Sequence, residues 1–255
     1  WAYNGDQMAS ELNMESKHSI EKQTAHHVDC FTTVSDITAR ECKELLDKPV
    51  DMVLPNGFEN DFVPTGGTFT KKRKAARRRL LDVANALTGD DIQENALIVS
   101  TSGRYEFRNK GIDAFIDALG ALNRNSNNKK ELLAYILIHK AHDAPNQGLL
   151  NNLHNPQQTT ENEQKHLTHI LPDVYHDAIM TRIYEQQLFN RKEDKVKVIF
   201  CPSYLNGNDG VFNLSYYELL IGLDGTAFPS YYEPWGYTPL ESVAFKTPCI
   251  TTDLS

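Results

Sequence analysis

Apolar residues along this chain follow two rhythms. Short β-branched or aromatic runs read as strands, and stretches with apolar residues three or four apart read as helices. Residues 28–34 (Val-Asp-Cys-Phe-Thr-Thr-Val) form the first strand candidate. Ser35 stands where a helix N-cap would, and Ile37, Ala39, Cys42, Leu45 and Leu46 follow at helical spacing. A second short strand, Met52-Val53-Leu54, runs into the turn signal Pro55-Asn56-Gly57. From about residue 60 to 70 the composition turns to Pro, Gly and Thr, which predicts a linker between a domain over 1–60 and another over 61–255. A basic helix is expected over 71–87, followed by a strand over 96–101, a helix over 111–122 and a strand over 132–139. Residues 141–160, rich in Asn, Gln and His, read as a loop. A helix over 173–189, a strand over 196–200, a helix over 215–220 and a strand over 225–228 come next, then a helix over 239–245 and a strand over 247–255. Such alternation predicts an α/β fold in which parallel sheets are covered by helices on both faces. Ligands in these folds bind beyond the carboxyl ends of the strands, so the loops that leave strands are where chemistry is expected.

Composition narrows the classes. The chain's 255 residues suffice for one sizeable or two small domains. A net charge of -8 argues against a protein built to hold nucleic acid. The run Lys71-Lys72-Arg73-Lys74-Ala75-Ala76-Arg77-Arg78-Arg79 has no interleaved aromatics and reads as a solvated helix face, contact with an anionic polymer or partner being the other reading. Cys30, Cys42, Cys201 and Cys249 stand far apart and imply neither a disulfide framework nor a zinc site, which points to a reducing cytoplasm. The scattered histidines give no metal site. The polar start excludes a signal peptide there, and no apolar run approaches the ~20 residues of a membrane span. With no initiator methionine and a last strand lacking its helix, the chain reads as a fragment.

Two loops stand out. Ser102-Gly103-Arg104-Tyr105-Glu106-Phe107-Arg108-Asn109-Lys110-Gly111 leaves a strand and enters a helix. Arg104 offers a planar fork of donors and Lys110 a compact charge, a pair able to hold a diphosphate or simply to face water. The second loop, Phe228-Pro229-Ser230-Tyr231-Tyr232-Glu233-Pro234-Trp235-Gly236-Tyr237-Thr238-Pro239-Leu240-Glu241, also joins strand to helix. Thr238 and Glu241 have capping-box spacing, so Glu241 either caps its own helix or serves a site. The N–H groups of Gly236, Tyr237 and Thr238 at a helix start make a natural seat for phosphate. Glu233 has no capping role and sits among Tyr231, Tyr232 and Trp235, a composition suited to a sugar.

These two loops, with Phe31-Thr32-Thr33-Val34-Ser35 and Leu54-Pro55-Asn56-Gly57, resemble signatures of glycogen synthases of the eukaryotic type, the family 3 glycosyltransferases. The resemblance runs from about Thr24 to the end and weakens between Asn125 and about His169, where the chain is shorter than the helical insertion those relatives use to assemble tetramers. It implies a GT-B fold fragment: the last part of an acceptor-side Rossmann-like domain, then a truncated donor-binding Rossmann-like domain. No catalytic metal and no cofactor are implied. Arg104 and Lys110 match the basic pair that grips the donor diphosphate. Glu233 and Glu241 match the glutamates of the E-x7-E motif, the first near the transferred glucose and the second toward the ribose. Tyr216 matches the ring that stacks on uracil, Tyr204 a second aromatic position nearby, and Gly236-Tyr237-Thr238 the phosphate-binding helix start.

The activity implied is retaining transfer of glucose from UDP-glucose to the non-reducing end of an α-1,4-glucan, in the cytoplasm, with no membrane or nucleic-acid partner; a homo-oligomer stays open, since the oligomeric state of those relatives does not carry over to the shorter chain. Two other readings stay open: retaining chemistry with another donor or acceptor, as in ADP-glucose-using starch synthases or sucrose synthases, and a catalytically silent nucleotide- or glucan-binding module. The region carrying the family's glycine-rich loop and active-site histidine would precede this chain, so the fragment alone is expected to be inactive.

Overall fold

The computed structural model describes residues 4–125, 127, 130–158 and 160–253. The chain divides into two units. One takes the residues up to Glu59 with Tyr232–Tyr237 and Asp253, the other Asn60–Tyr231 and Thr238–Thr252.

The first unit opens with α1 (Gly5–Glu11) and α2 (Glu15–His27). The hydrophobic rhythm does not announce them, because α2 buries little more than Ala25 and leaves Ile20 exposed. The strand expected over 28–34 shrinks to β1 (Thr32–Thr33), since its parallel partner β2 (Met52–Val53) is equally short. Between them lies α3 (Asp36–Leu45), capped as its sequence predicts by the Ser35 side chain accepting from the Thr38 N–H.

The second unit begins with α4 (Gly66–Thr88), which starts before the expected residue 71 and takes in part of the Gly- and Thr-rich stretch read as linker. Its basic run is not a uniformly solvated face. Arg73 donates to the carbonyls of Ile221 and Leu223 and to Asp224. Arg77 donates to Asp224 and to the carbonyls of Glu94 and Ala96, and Arg79 to those of Val211 and Phe212. Three arginines of the run thus fasten α4 to the segments that lead into the strands Leu97–Gly103 and Gly225–Phe228 and the helix Tyr216–Leu220, while Lys71, Lys72, Lys74 and Arg78 are exposed.

Strands β3 (Leu97–Gly103), β4 (Leu132–Ile138), β5 (Val196–Cys201), β6 (Gly225–Phe228) and β7 (Cys249–Thr251) form one parallel sheet in the order β5-β4-β3-β6-β7. β4, Leu-Leu-Ala-Tyr-Ile-Leu-Ile, is buried along its whole length. Its alternate residues enter opposite cores, as a strand covered on both faces requires. Leu133, Tyr135 and Leu137 join the cluster under α4, while Leu132, Ala134, Ile136 and Ile138 join the one under α5 (Ile112–Arg124) and α7 (Ala178–Glu185).

Four further expectations are corrected. The stretch read as a loop over 141–160 holds α6 (Gln147–His154), capped by Asn146 and packed against the first core through Leu149, Leu150 and Leu153. The helix expected over 173–189 is only α7, begun by the Asp177 cap. The last helix, α9 (Tyr237–Ala244), starts earlier than residue 239, and the strand expected over 247–255 is the short β7, with 254 and 255 outside the described residues. α8 (Tyr216–Leu220) begins at Ser215, which forms a capping box with Glu218.

Candidate active site

After β3 the chain builds outward through β4 and β5, then returns to the other side of β3 as β6. The sheet therefore has its switch point between β3 and β6, where ligands of open α/β sheets bind. Both loops singled out by sequence leave the sheet at this point. They touch: the Tyr231 N–H donates to the Asn109 carbonyl at 2.9 Å. Gly111, which caps α5, holds φ +63, and a Cβ there would lie 1.9 Å from the Pro229 carbonyl oxygen. Only glycine tolerates both the left-handed backbone and that approach.

Within the first loop, Arg104 is 77% exposed and its Nε lies 3.1 Å from Glu106 Oε1. Asn109 Nδ2 donates to the other Glu106 oxygen at 2.6 Å, and the Lys110 N–H donates to the Glu106 carbonyl. Glu106 so organises the segment between the two cations. Tyr105 and Phe107 pack instead against the core under α5 and α7.

Tyr216 is half-buried at the start of α8, and its hydroxyl lies 2.9 Å from Ser102 Oγ at the carboxyl end of β3. Burial raises its pKa, so it stays protonated. Tyr204 belongs to the adjoining loop, whose Leu205 carbonyl accepts from the Tyr216 N–H. Its ring is exposed and stacks on His139 with centroids 3.6 Å apart. Tyr204 and Tyr216 are thereby gathered past the ends of β3, β4 and β5.

Glu241 does not cap its own helix. Thr238 lies inside α9 and not before it, and Glu241 Oε1 accepts from Tyr217 Oη at 2.8 Å. The Tyr217 ring stacks on Phe245 at 5.4 Å, and burial, then Glu241, pushes its phenol up to about 12. Thr238 and Glu241 lie in the larger unit, Glu233, Gly236 and Tyr237 in the smaller. Tyr232 of the smaller unit donates to Glu41 at 2.6 Å.

Sequence reading missed one arrangement under the first loop. Asp177, fully buried, accepts from Tyr105 Oη at 2.7 Å and from Lys140 Nζ at 2.5 Å. Asp177 stands just before an apolar run, a cap signal that could have been read; its partners are distant in sequence and could not. Among the described residues, no group of three or more His, Cys, Asp or Glu could hold a metal ion, and no helix is long and apolar enough to cross a membrane.

The larger unit is a parallel, doubly wound α/β fold with cationic and aromatic loops at its switch point. Comparison with known proteins narrows the class: the sequence model of the family described as Glycogen synthase matches residues 2–150 and 158–255, and the chain belongs to that family. Glycogen [starch] synthase isoform 2 of Saccharomyces cerevisiae is 31% identical over 98% of this chain and 44% of its own length. The Neurospora crassa Glycogen [starch] synthase gives the same figures, and the Homo sapiens liver Glycogen [starch] synthase is 29% identical over 99% of this chain and 44% of its own. The chain thus spans less than half the length of these relatives. Among solved structures, WaaG, a glycosyltransferase involved in lipopolysaccharide biosynthesis, aligns with a TM-score of 0.46 at 15% identity over 88% of this chain and 44% of its own.

Proposed function

We propose that this chain is the donor-binding part of a glycogen synthase that transfers glucose from UDP-glucose, with retention, to the non-reducing end of an α-1,4-glucan. The observation that carries the reading is the meeting of the two loops at the β3/β6 switch point, through Tyr231 and Asn109 and through Gly111 and Pro229, in a chain of this family. The division at Glu59/Asn60 supports assigning the residues before it to the acceptor-side domain and most of those after it to the donor domain.

In this reading the Tyr216 and Tyr204 rings receive uracil, and Glu241, held by Tyr217, faces the ribose. Arg104, Lys110 and the N–H groups of Gly236, Tyr237 and Thr238 take the diphosphate. As the bond from the anomeric carbon to the UDP oxygen breaks, negative charge grows on the diphosphate, and preorganised donors there stabilise the transition state more than the ground state. Glu233 lies along the transferred glucose as it passes through an oxocarbenium-like state. The acceptor 4-hydroxyl attacks from the face UDP leaves, and a diphosphate oxygen takes its proton. Four free cysteines suit a cytoplasmic setting.

Titration calorimetry of the chain with UDP and ADP tests the reading. Binding of UDP in preference to ADP, weakened by Lys110→Ala, is the expected result. Failure to bind UDP, or equal binding of both, overturns the uridine donor assignment.

A further inference from the structure

The Tyr105–Asp177–Lys140 cluster lies directly beneath the proposed diphosphate grip and has no part in the chemistry above. Its geometry joins three segments. Tyr105 follows Arg104 in the loop after β3, Lys140 lies just past β4, and Asp177 starts α7. Asp177 Oδ1 accepts from the Met180 N–H at 2.8 Å, while Oδ2 takes both the Tyr105 hydroxyl at 2.7 Å and Lys140 Nζ at 2.5 Å. Its side chain is 0% exposed, so the carboxylate depends on these donors and on the positive end of α7 in place of water. Lys140 Nζ also stands 4.9 Å from the centre of the Tyr105 ring.

We propose that Tyr105 is a positioning residue of the diphosphate site, its hydroxyl tying the Arg104–Lys110 loop to the buried Asp177 carboxylate. The inference rests on the donor-site reading above. A loop carrying cations for a dianion gains affinity when it is ordered before the ligand arrives, because the cost of ordering it is then met in folding. The pattern along the segment fits: Tyr105 and Phe107 pack against the core, Arg104 stays exposed, and Glu106 sets Arg104 and Asn109 from above the anchor. Burial, with Asp177 beside it, raises the Tyr105 pKa, so the phenol keeps the proton this bond requires.

Tyr105→Phe is the informative variant, since it keeps the ring and removes only the hydroxyl. UDP and UMP are titrated into the wild-type chain, Tyr105→Phe and Asp177→Asn. The expected result is a loss of about tenfold in UDP affinity for Tyr105→Phe with UMP affinity held within about twofold, the size of a lost hydrogen bond to a charged group. Asp177→Asn should shift the UDP-to-UMP ratio in the same direction. Unchanged UDP affinity in Tyr105→Phe overturns the proposal. So does an equal weakening of UDP and UMP accompanied by a lower melting temperature, which would mark a purely structural bond. A wild-type chain that binds UDP no better than UMP would instead sink the diphosphate grip itself, and this inference with it.

Discussion

Tyr217 donates its hydroxyl to Glu241 across 2.8 Å while its ring lies parallel to that of Phe245, the two planes 4° apart. One side chain thus fixes a carboxylate of the candidate site and packs against the core at Phe245, just past α9. Phe62 closes on both rings at 5.1 and 5.7 Å, so a residue of the expected linker takes part in the same packing. Tyr217→Phe should keep the stack and lose the bond, costing about 1.5 kcal/mol. Thermal unfolding should show a drop of roughly 3–6 °C for a domain of this size. A melting temperature equal to wild type would mean that Glu241 finds an equivalent donor.

Gly111 offers a sharper test of how the two loops meet. A methyl group there faces backbone, the Pro229 carbonyl at 1.9 Å, which cannot rotate aside, and φ is +63. Gly111→Ala should cost about 3 kcal/mol or more through strain and overlap together. The denaturant midpoint should fall with an unchanged slope. A midpoint within error of wild type would show that the loops do not approach as described.

How far the sequence could be read follows from which interactions are local. β4 and β5 were legible because apolar runs buried on both faces have few alternatives, and β6 falls on the expected 225–228. α6 was hidden by its Asn- and Gln-rich composition, although Asn146 and the spacing of Leu149, Leu150 and Leu153 carry its signal. The role of Arg73, Arg77 and Arg79 was not legible at all. Their partners Asp224, Ile221 and Phe212 lie more than a hundred residues away, and only the fold brings them to α4. At the site, the two loops could be found by their residue types, whereas the Asp177 anchor beneath Tyr105 needed coordinates.

Lys197 commits a charge to the core. It sits on β5 with 1% of its side chain exposed, 2.7 Å from Asp90, and donates to the Arg191 carbonyl. Replacing it with Met leaves the mostly buried Asp90 without its cation, and removing one partner of a buried pair costs about 3–5 kcal/mol. Lys197→Met should therefore unfold at markedly lower urea, and adding Asp90→Asn should restore part of the loss. Strict additivity of the two substitutions in a double-mutant cycle would show that the pair is not coupled.

His166 should make the fold acid-sensitive. Its Nε2 lies 2.7 Å from the Leu188 carbonyl, and burial lowers its pKa to about 4, with the Leu188 bond pulling the other way. The unfolded chain takes this proton near pH 6.5 and the folded chain only near 4, so the unfolded state binds more protons in between. The contribution is fully present above about pH 6.5 and is lost as pH falls toward 4, to a total of about 3 kcal/mol. Urea midpoints from pH 7 to 4.5 should fall less steeply in His166→Gln than in wild type. Parallel pH profiles would exclude His166 as the source.

Lys110 carries the chemical prediction. It ends the segment that Glu106 organises, its N–H bonded to the Glu106 carbonyl at 2.8 Å, next to the Gly111 cap that fixes where α5 begins. In the proposed reaction its ammonium meets charge that grows on the diphosphate as the glycosidic bond breaks, so its effect should fall on turnover more than on ground-state binding. Lys110→Ala in the complete enzyme should lower kcat at least ~100-fold, the loss typical of a preorganised donor at a developing oxyanion. A higher KM with kcat unchanged would make Lys110 a binding residue only, since uniform binding raises affinity without speeding chemistry. Near-normal kcat and KM together would remove it from the site and leave Arg104 as the cation to test.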